Sequence, residues 1–276
     1  MNIKTYNGLF FNGQSFVHVQ DALAVEVGLS ISVNHTPFTV TMQTPGQEKD
    51  LVRGLLFSES IFRDTSTLPR LEMTGMDEEG YITAINVQVP ELLVLRQFAG
   101  TRNVMSASSC GLCGKTTLEE ASYTRIEHKG QIDPVVVGLM FERMSEHQKS
   151  FRASGGTHAS AAFTLDGEML SIREDIGRHN AVDKVIGDLL WRGLLSKAAC
   201  LTVSGRISFE IVSKTISAGI PYLASVSAPS TLAVDMAENA GITLMAFCRN
   251  QKLTVYSNTA HVSTETPEAL AAVNKT

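Results

Sequence analysis

The final third of the chain constrains the fold most. Cys200 to Val203, Pro221 to Ser227 and Ile242 to Phe247 are short apolar runs bounded by turns, the pattern of buried strands. Between them, Phe209 to Ala218 and Thr231 to Ala240 read as helices. Gly219 and Gly241 stop them, and Ser230 caps the second. Strands and helices that alternate across loops this short imply parallel strands joined by right-handed crossovers. An α/β fold is therefore expected.

The upstream sequence is of a different kind. Ala22 to Val33, Phe38 to Met42 and Tyr81 to Val89 alternate like strands, with Thr44-Pro45-Gly46 as a turn and Pro90 as a stop. Asp50 to Ile61 reads as one short helix whose apolar face is Leu51, Leu55, Leu56 and Ile61. Residues 1–100 are thus expected to form a strand-rich N-terminal subdomain, and residues 101–276 the α/β domain. Within the second, Asp133 and Pro134 open a helix that runs to about His147, as N-cap and first helical residue. Ala159 to Leu165 and Met169 to Ile172 flank Asp166-Gly167, a hairpin signal. The polar run Arg173 to Asn180 leads into a helix that ends near Gly193.

Hydrophobic residues make up 43% of the chain and charged residues 18%, enough to build a full core around a soluble domain. The net charge of -5 argues against bulk nucleic acid as the main partner, because phosphate binding needs a surplus of Lys and Arg. No signal peptide and no membrane-spanning apolar run are evident, so a cytoplasmic protein is expected, with neither membrane nor nucleic acid among its partners. Four cysteines are too few for a disulfide scaffold in a chain of this size.

A close cysteine pair in a reducing compartment points instead to thiol chemistry or metal. Cys110-Gly-Leu-Cys113 lies in a run of small residues, Ser106 to Lys115, that suits a loop, and a short helix is expected to start near Cys113. Flanking glycines let the backbone turn tightly and expose sulfur. A helix N-terminus and Lys115 would both favour the thiolate, which is the form that attacks another sulfur. The alternative is half of a zinc site. Zinc needs about four ligands, and Cys200 and Cys248 sit in apolar, strand-like surroundings that suit buried inert thiols. No metal site and no tightly bound zinc are expected.

Other segments suit an anionic ligand. Ser204-Gly205-Arg206, Ser227 to Ser230 and Phe247-Cys248-Arg249-Asn250-Gln251-Lys252 each follow a strand at its carboxyl end, where open α/β sheets bind ligands. Together they would make a polar, locally basic rim. Ser154-Gly155-Gly156-Thr157-His158 offers close backbone approach and a polar side chain. It reads equally well as an ordinary loop with a satisfied histidine. His179 opens a helix, either as a capping residue or beside an anion.

In this order the pieces resemble the formate dehydrogenase accessory sulfurtransferase family, FdhD. The resemblance covers about Glu26 to Tyr256. It is carried by Pro37 to Gly46, Ser109 to Gly114, Gly155-Gly-Thr-His158, Arg173 to Lys184, Ser204-Gly-Arg206 with Ser208-Phe-Glu210, and Ala228-Pro229. Two residues depart from the family pattern: Gln43 stands in place of Arg, and Ser60 in place of Gly.

The resemblance implies a cytidine deaminase-like layered fold with a mixed sheet, and a homodimer. It implies a protein that accepts sulfane sulfur from a cysteine desulfurase as a persulfide on Cys110. The sulfur passes to the molybdenum (or tungsten) bis-guanine-dinucleotide cofactor, bound as a substrate and destined for the formate dehydrogenase catalytic subunit. Phe247 to Lys252 match the family's cofactor-binding segment, with Ser204, Gly205, Arg206 and His158 as further contacts. For Cys113 thiol chemistry leaves two roles open: attack on Cys110 to release the sulfur, or relay of the sulfur itself. The alternative is a molybdenum-cofactor chaperone without covalent sulfur transfer.

Overall fold

The computed structural model describes residues 2–95 and 125–264. The Cys110–Cys113 loop and the helix expected from Cys113 lie outside the described residues. At the N-terminus β1 (Ile3–Phe11) and β2 (Phe16–Ala24) form a two-stranded antiparallel ribbon. β3 (Val27–Val33), β4 (Thr36–Gln43), β5 (Arg70–Met76) and β6 (Ile82–Gln88) form a second sheet in the order β4-β3-β6-β5. Its inner face packs Leu29, Ile31, Val33, Ile85 and Val87 against Leu51, Val52 and Leu56 of α1 (Glu48–Ser58).

The expected strand Ala22 to Val33 is two strands. The chain changes sheets at Val25, whose N–H donates to Asn2 O, while the alternation of residue types continues through the break. The expected helix Asp50 to Ile61 starts two residues earlier and stops at Ser58. The backbone reverses at Ser60, whose φ is +56°, and Ile61 and Phe62 both donate N–H to Leu56 O. Ser60 thus occupies a left-handed position that favours glycine, the residue the family pattern has there.

The third sheet is the largest. It is preceded by α2 (Pro134–His147) and α3 (Lys149–Ser154) and built from β7 (His158–Phe163), β8 (Met169–Asp175), β9 (Cys200–Val203), β10 (Tyr222–Ser225), β11 (Thr243–Arg249) and β12 (Lys252–Val255). The strand order is β12-β11-β10-β9-β7-β8. β9, β10 and β11 are parallel, while β7 and β12 run antiparallel to their neighbours, so the sheet is mixed. α4 (Arg178–Trp191), α5 (Phe209–Ala218) and α6 (Thr231–Ala240) cover one face. α2 covers the other through Val137, Met140, Phe141 and Met144. Asp133 caps α2 by accepting the Val135 N–H at 2.8 Å, and Gly219 and Gly241 end α5 and α6 in the left-handed conformation, as the sequence predicts.

α1 joins the two larger sheets. It packs along α4, and its Phe57 enters the core beneath α4 and α5. Charged groups seal the joint: Arg173 bridges Asp50 and Asp188, and the buried Lys214 pairs with Asp183, to which Ser58 also donates at 2.7 Å. Among the described residues no helix is long and apolar enough to cross a membrane.

Candidate functional site

β9, β10 and β11 end at one edge of the large sheet. β7 runs the other way, so its first residue, His158, reaches the same edge. The Ser204 hydroxyl lies 3.2 Å from His158 Nδ1 and accepts the Ala159 N–H at 2.9 Å. Ser225 donates to Gly205 O at 2.6 Å, and Arg249 Nε donates to Val226 O at 2.9 Å. Side chains thus lace the three strand ends together. Gly205 must be small: a Cβ there would stand 3.3 Å from the His158 ring and 3.2 Å from Arg178 Cδ. Burial and the neighbouring Arg178 push the His158 pKa down, which favours the neutral imidazole beside Ser204.

This edge opens into a groove against α2 with two lobes. One, of about 440 Å³, is lined by His158, Ser204, Thr157, Phe151 and Arg249 among others. The second, of about 500 Å³, lies between α2 and the β11–β12 turn and is lined by Cys248 to Leu253 with Gly138 and Glu142. Phe141, Ser145 and Arg249 line both, so the lobes adjoin.

The β11–β12 turn is an unusual piece of backbone. Asn250 and Gln251 have φ of +52° and +59°, the geometry of a tight two-residue hairpin, and Phe247 has φ +55° at a break in strand register. A side chain other than glycine at such a φ costs on the order of 1 kcal/mol or more. Three such residues within five mark a segment held in one shape by its surroundings.

The structure therefore brings His158, Ser204 and residues 248–252 together along one groove, with Gly205 beneath His158. It does not bring in Arg206, which is exposed and lines neither lobe. Phe247 also lines neither lobe, and its ring tilts toward Tyr256 instead, 6.3 Å between centroids. Cys248 faces the second lobe, but burial pushes its thiol up to about 12 and leaves it protonated at neutral pH. Burial raises Cys200 in the same direction.

The sequence reading missed the wall that α2 supplies: Gly138, Phe141, Glu142 and Ser145. They sit on a helix read only for its apolar face, and no local signal marks them as turned toward the rim. The motif Arg173 to Lys184 proves to be a joint. Asp175 accepts the Thr44 N–H at 3.0 Å and the Gly177 N–H at 2.8 Å, and Lys184 pairs with it. Gln43, where the family pattern has Arg, is buried and donates to Glu48. The described chain stops at Leu95, bonded to Ile61 O, and resumes before Ile126, bonded to Ala240 O. Ala240 ends α6 just before β11 begins, so Ile126 is anchored at the sheet edge opposite the groove.

His179, which lines neither lobe, gives the protein's stability a pH signature. Burial first, then Arg178 and Lys214, push its pKa down to about 4, with Glu210 and Glu59 opposing. The unfolded chain binds a proton near pH 6.5, whereas the folded chain resists it until about 4. The His179 contribution to stability is therefore present above pH 6.5 and is lost as pH falls toward 4. Urea unfolding of His179→Gln at several pH values is expected to show a shallower loss of stability across that window. An unchanged slope would reject the assignment.

A mixed α/β scaffold with a polar groove at the carboxyl ends of its parallel strands defines the general class. The chain belongs to the FdhD/NarQ family, whose model matches residues 24–263. It is 44% identical over 246 residues to the sulfur carrier protein FdhD of Nocardia farcinica, covering 86% of this chain and 87% of that one. The proteins of the same name from Mycobacterium tuberculosis and Sulfolobus acidocaldarius are 42% and 39% identical, over 88% and 87% of this chain and 92% and 90% of theirs. The fold matches the crystal structure of a protein described as a formate dehydrogenase accessory protein from Desulfotalea psychrophila. The TM-score is 0.75 at 18% identity, over 95% of this chain and 100% of that one.

Proposed function

We propose that this protein is a sulfur carrier that serves formate dehydrogenase, taking sulfane sulfur as a persulfide on Cys110 and passing it to a bound molybdenum bis-guanine-dinucleotide cofactor. The observation that carries the reading is likeness across nearly the full length to relatives named sulfur carrier proteins, in a chain that holds Cys110-Gly-Leu-Cys113. In the first step the Cys110 thiolate attacks the outer sulfur of a donor persulfide, presented by a cysteine desulfurase. A new S–S bond forms, the donor S–S bond breaks, and the donor leaves as a thiolate. In the second, Cys113 thiolate attacks Cys110 sulfur, a disulfide forms and sulfide leaves toward the metal. An external thiol then reduces the disulfide for the next cycle.

The groove supplies the other half of the reading. Arg249 and Lys252 provide cations for cofactor phosphates, while His158 and Ser204 provide neutral hydrogen-bonding groups. A cytoplasmic homodimer with a deaminase-like layering belongs to the same proposal. A hairpin followed by three parallel strands, with helices on both faces, supports that layering. The experiment is intact-mass analysis after incubation with a cysteine desulfurase and cysteine. One added sulfur is expected on the native chain and none on Cys110→Ala, which also loses formate dehydrogenase maturation. If Cys110→Ala still matures the enzyme while binding the cofactor, the protein is a chaperone and not a carrier.

A further inference from the structure

The second lobe holds opposite charges that do not meet. Glu142 on α2 lines it, and so do Arg249 and Lys252 on the facing turn. Among the described residues Glu142 has no hydrogen bond or ion pair. Lys252 has no side-chain partner either, and Arg249 uses only its Nε, on Val226 O. All three side chains are exposed, so each is available to a ligand that enters this pocket of about 500 Å³. They stand on facing walls of the lobe, α2 and the β11–β12 turn, with Gly138 one helical turn before Glu142. A Cβ at Gly138 would lie 3.9 Å from Gln251 Cα, so the turn rests against α2 where α2 has no side chain.

A ligand that satisfies both walls carries two adjacent N–H donors at one end and negative charge at the other. Guanine nucleotides have this pattern. The Watson–Crick edge of guanine presents N1–H and the 2-amino group side by side, which a carboxylate accepts as a pair, and the phosphates seek Arg and Lys. Adenine presents a bare N1 acceptor beside its amino group, so a carboxylate there repels it. The lobe also falls within the ordinary size range of ligand pockets.

We propose that Glu142 is the residue that selects guanine at this lobe, accepting N1–H and the 2-amino group, while Arg249 and Lys252 hold the phosphates. The inference rests on the reading of residues 247–252 as the cofactor-binding segment and deepens it by naming what reads the base.

The test is calorimetric titration of the full chain with GDP, IDP and ADP. Inosine keeps N1–H and lacks the 2-amino group. The native protein is expected to prefer GDP to IDP by about tenfold, and IDP to ADP by about as much again, since a hydrogen bond to a charged group contributes about that factor. Glu142→Gln is expected to weaken GDP binding at least about tenfold and, by removing the charge that repels adenine N1, to leave ADP binding no weaker, collapsing the ratio. Glu146→Gln, one turn further along α2 and outside the lobe, is expected to leave all three affinities alone. A preserved GDP-to-ADP ratio in Glu142→Gln would overturn the role of Glu142 alone. Absence of any nucleotide binding by the native chain would overturn the cofactor reading of the groove as well, while leaving persulfide formation on Cys110 to be judged by mass.

Discussion

Gly187→Ala is expected to destabilise the protein by about 3 kcal/mol, and Gly54→Ala by as much. α1 and α4 cross at these two glycines. A Cβ on Gly54 would sit 1.8 Å from Asp183 O, and one on Gly187 would sit 1.8 Å from Asp50 O. Both obstacles are backbone carbonyls, so no rotamer change relieves the clash. The helices must separate, and separation strains everything anchored on them: Arg173 between Asp50 and Asp188, and Asp183 between Ser58 and Lys214. Intrinsic propensity works the other way, since alanine in a helix interior is favoured over glycine by about 1 kcal/mol. Gly138→Ala isolates that term, because among the described residues nothing comes nearer to a Cβ at that position than 3.9 Å. Urea unfolding should therefore give opposite signs for the same substitution, a large loss at Gly54 and Gly187 and a neutral or slightly positive change at Gly138. A loss below about 1 kcal/mol at both crossing glycines would mean that the helices can slide apart freely.

The parallel core was legible because each of its signals is local. Apolar runs at Cys200, Tyr222 and Thr243, glycines at 219 and 241, and the Asp133-Pro134 start each act within a few residues of where they stand. β1 and β5 were not legible for the opposite reason. β1 exposes most of its side chains, and β5 lies at a sheet edge with Gly75 in it, so neither shows a one-sided apolar alternation. The break at Val25 is invisible in principle, because alternation says nothing about which sheet a strand joins. At the site, the loops at strand ends could be anticipated from topology, which places them on one edge whatever their side chains. Glu142 and Ser145 could not. Their relevance depends on α2 lying over that edge, and that is settled by Met140 and Met144 packing on Ala159 and Ala161, contacts far apart in sequence. Arg206 was expected as an anion contact from its position after β9; it is exposed, beside the Ile207–Pro229 bridge and outside the lining of both lobes.

Lys184→Met is the second substitution expected to cost heavily, about 3–5 kcal/mol, because it strands a carboxylate in the core. Lys184 and Asp175 are fully buried 2.7 Å apart, and Lys184 also donates to Thr44 O at 2.6 Å. Asp175 keeps the Thr44 and Gly177 N–H groups and the Asn180 amide after the lysine is gone, but it loses its only countercharge among the described residues. Asp175→Asn leaves the mirror defect, an ammonium without a carboxylate. The double variant Asp175→Asn/Lys184→Met holds no stranded charge, so its cost should fall short of the sum of the two singles by about 1–3 kcal/mol. An additive cycle would show that water reaches the pair. The joint also bears on the site. It fixes the Thr44-Pro45-Gly46 turn to the start of α4, and the first residue of α4 is Arg178, which lies against Gly205 beneath the groove. Loosening it should lower GDP affinity in Lys184→Met while leaving the preference for GDP over ADP intact. Base selection is assigned to Glu142 on α2, which the joint does not touch. Loss of the preference along with the affinity would place base selection at the α4 end of the groove instead.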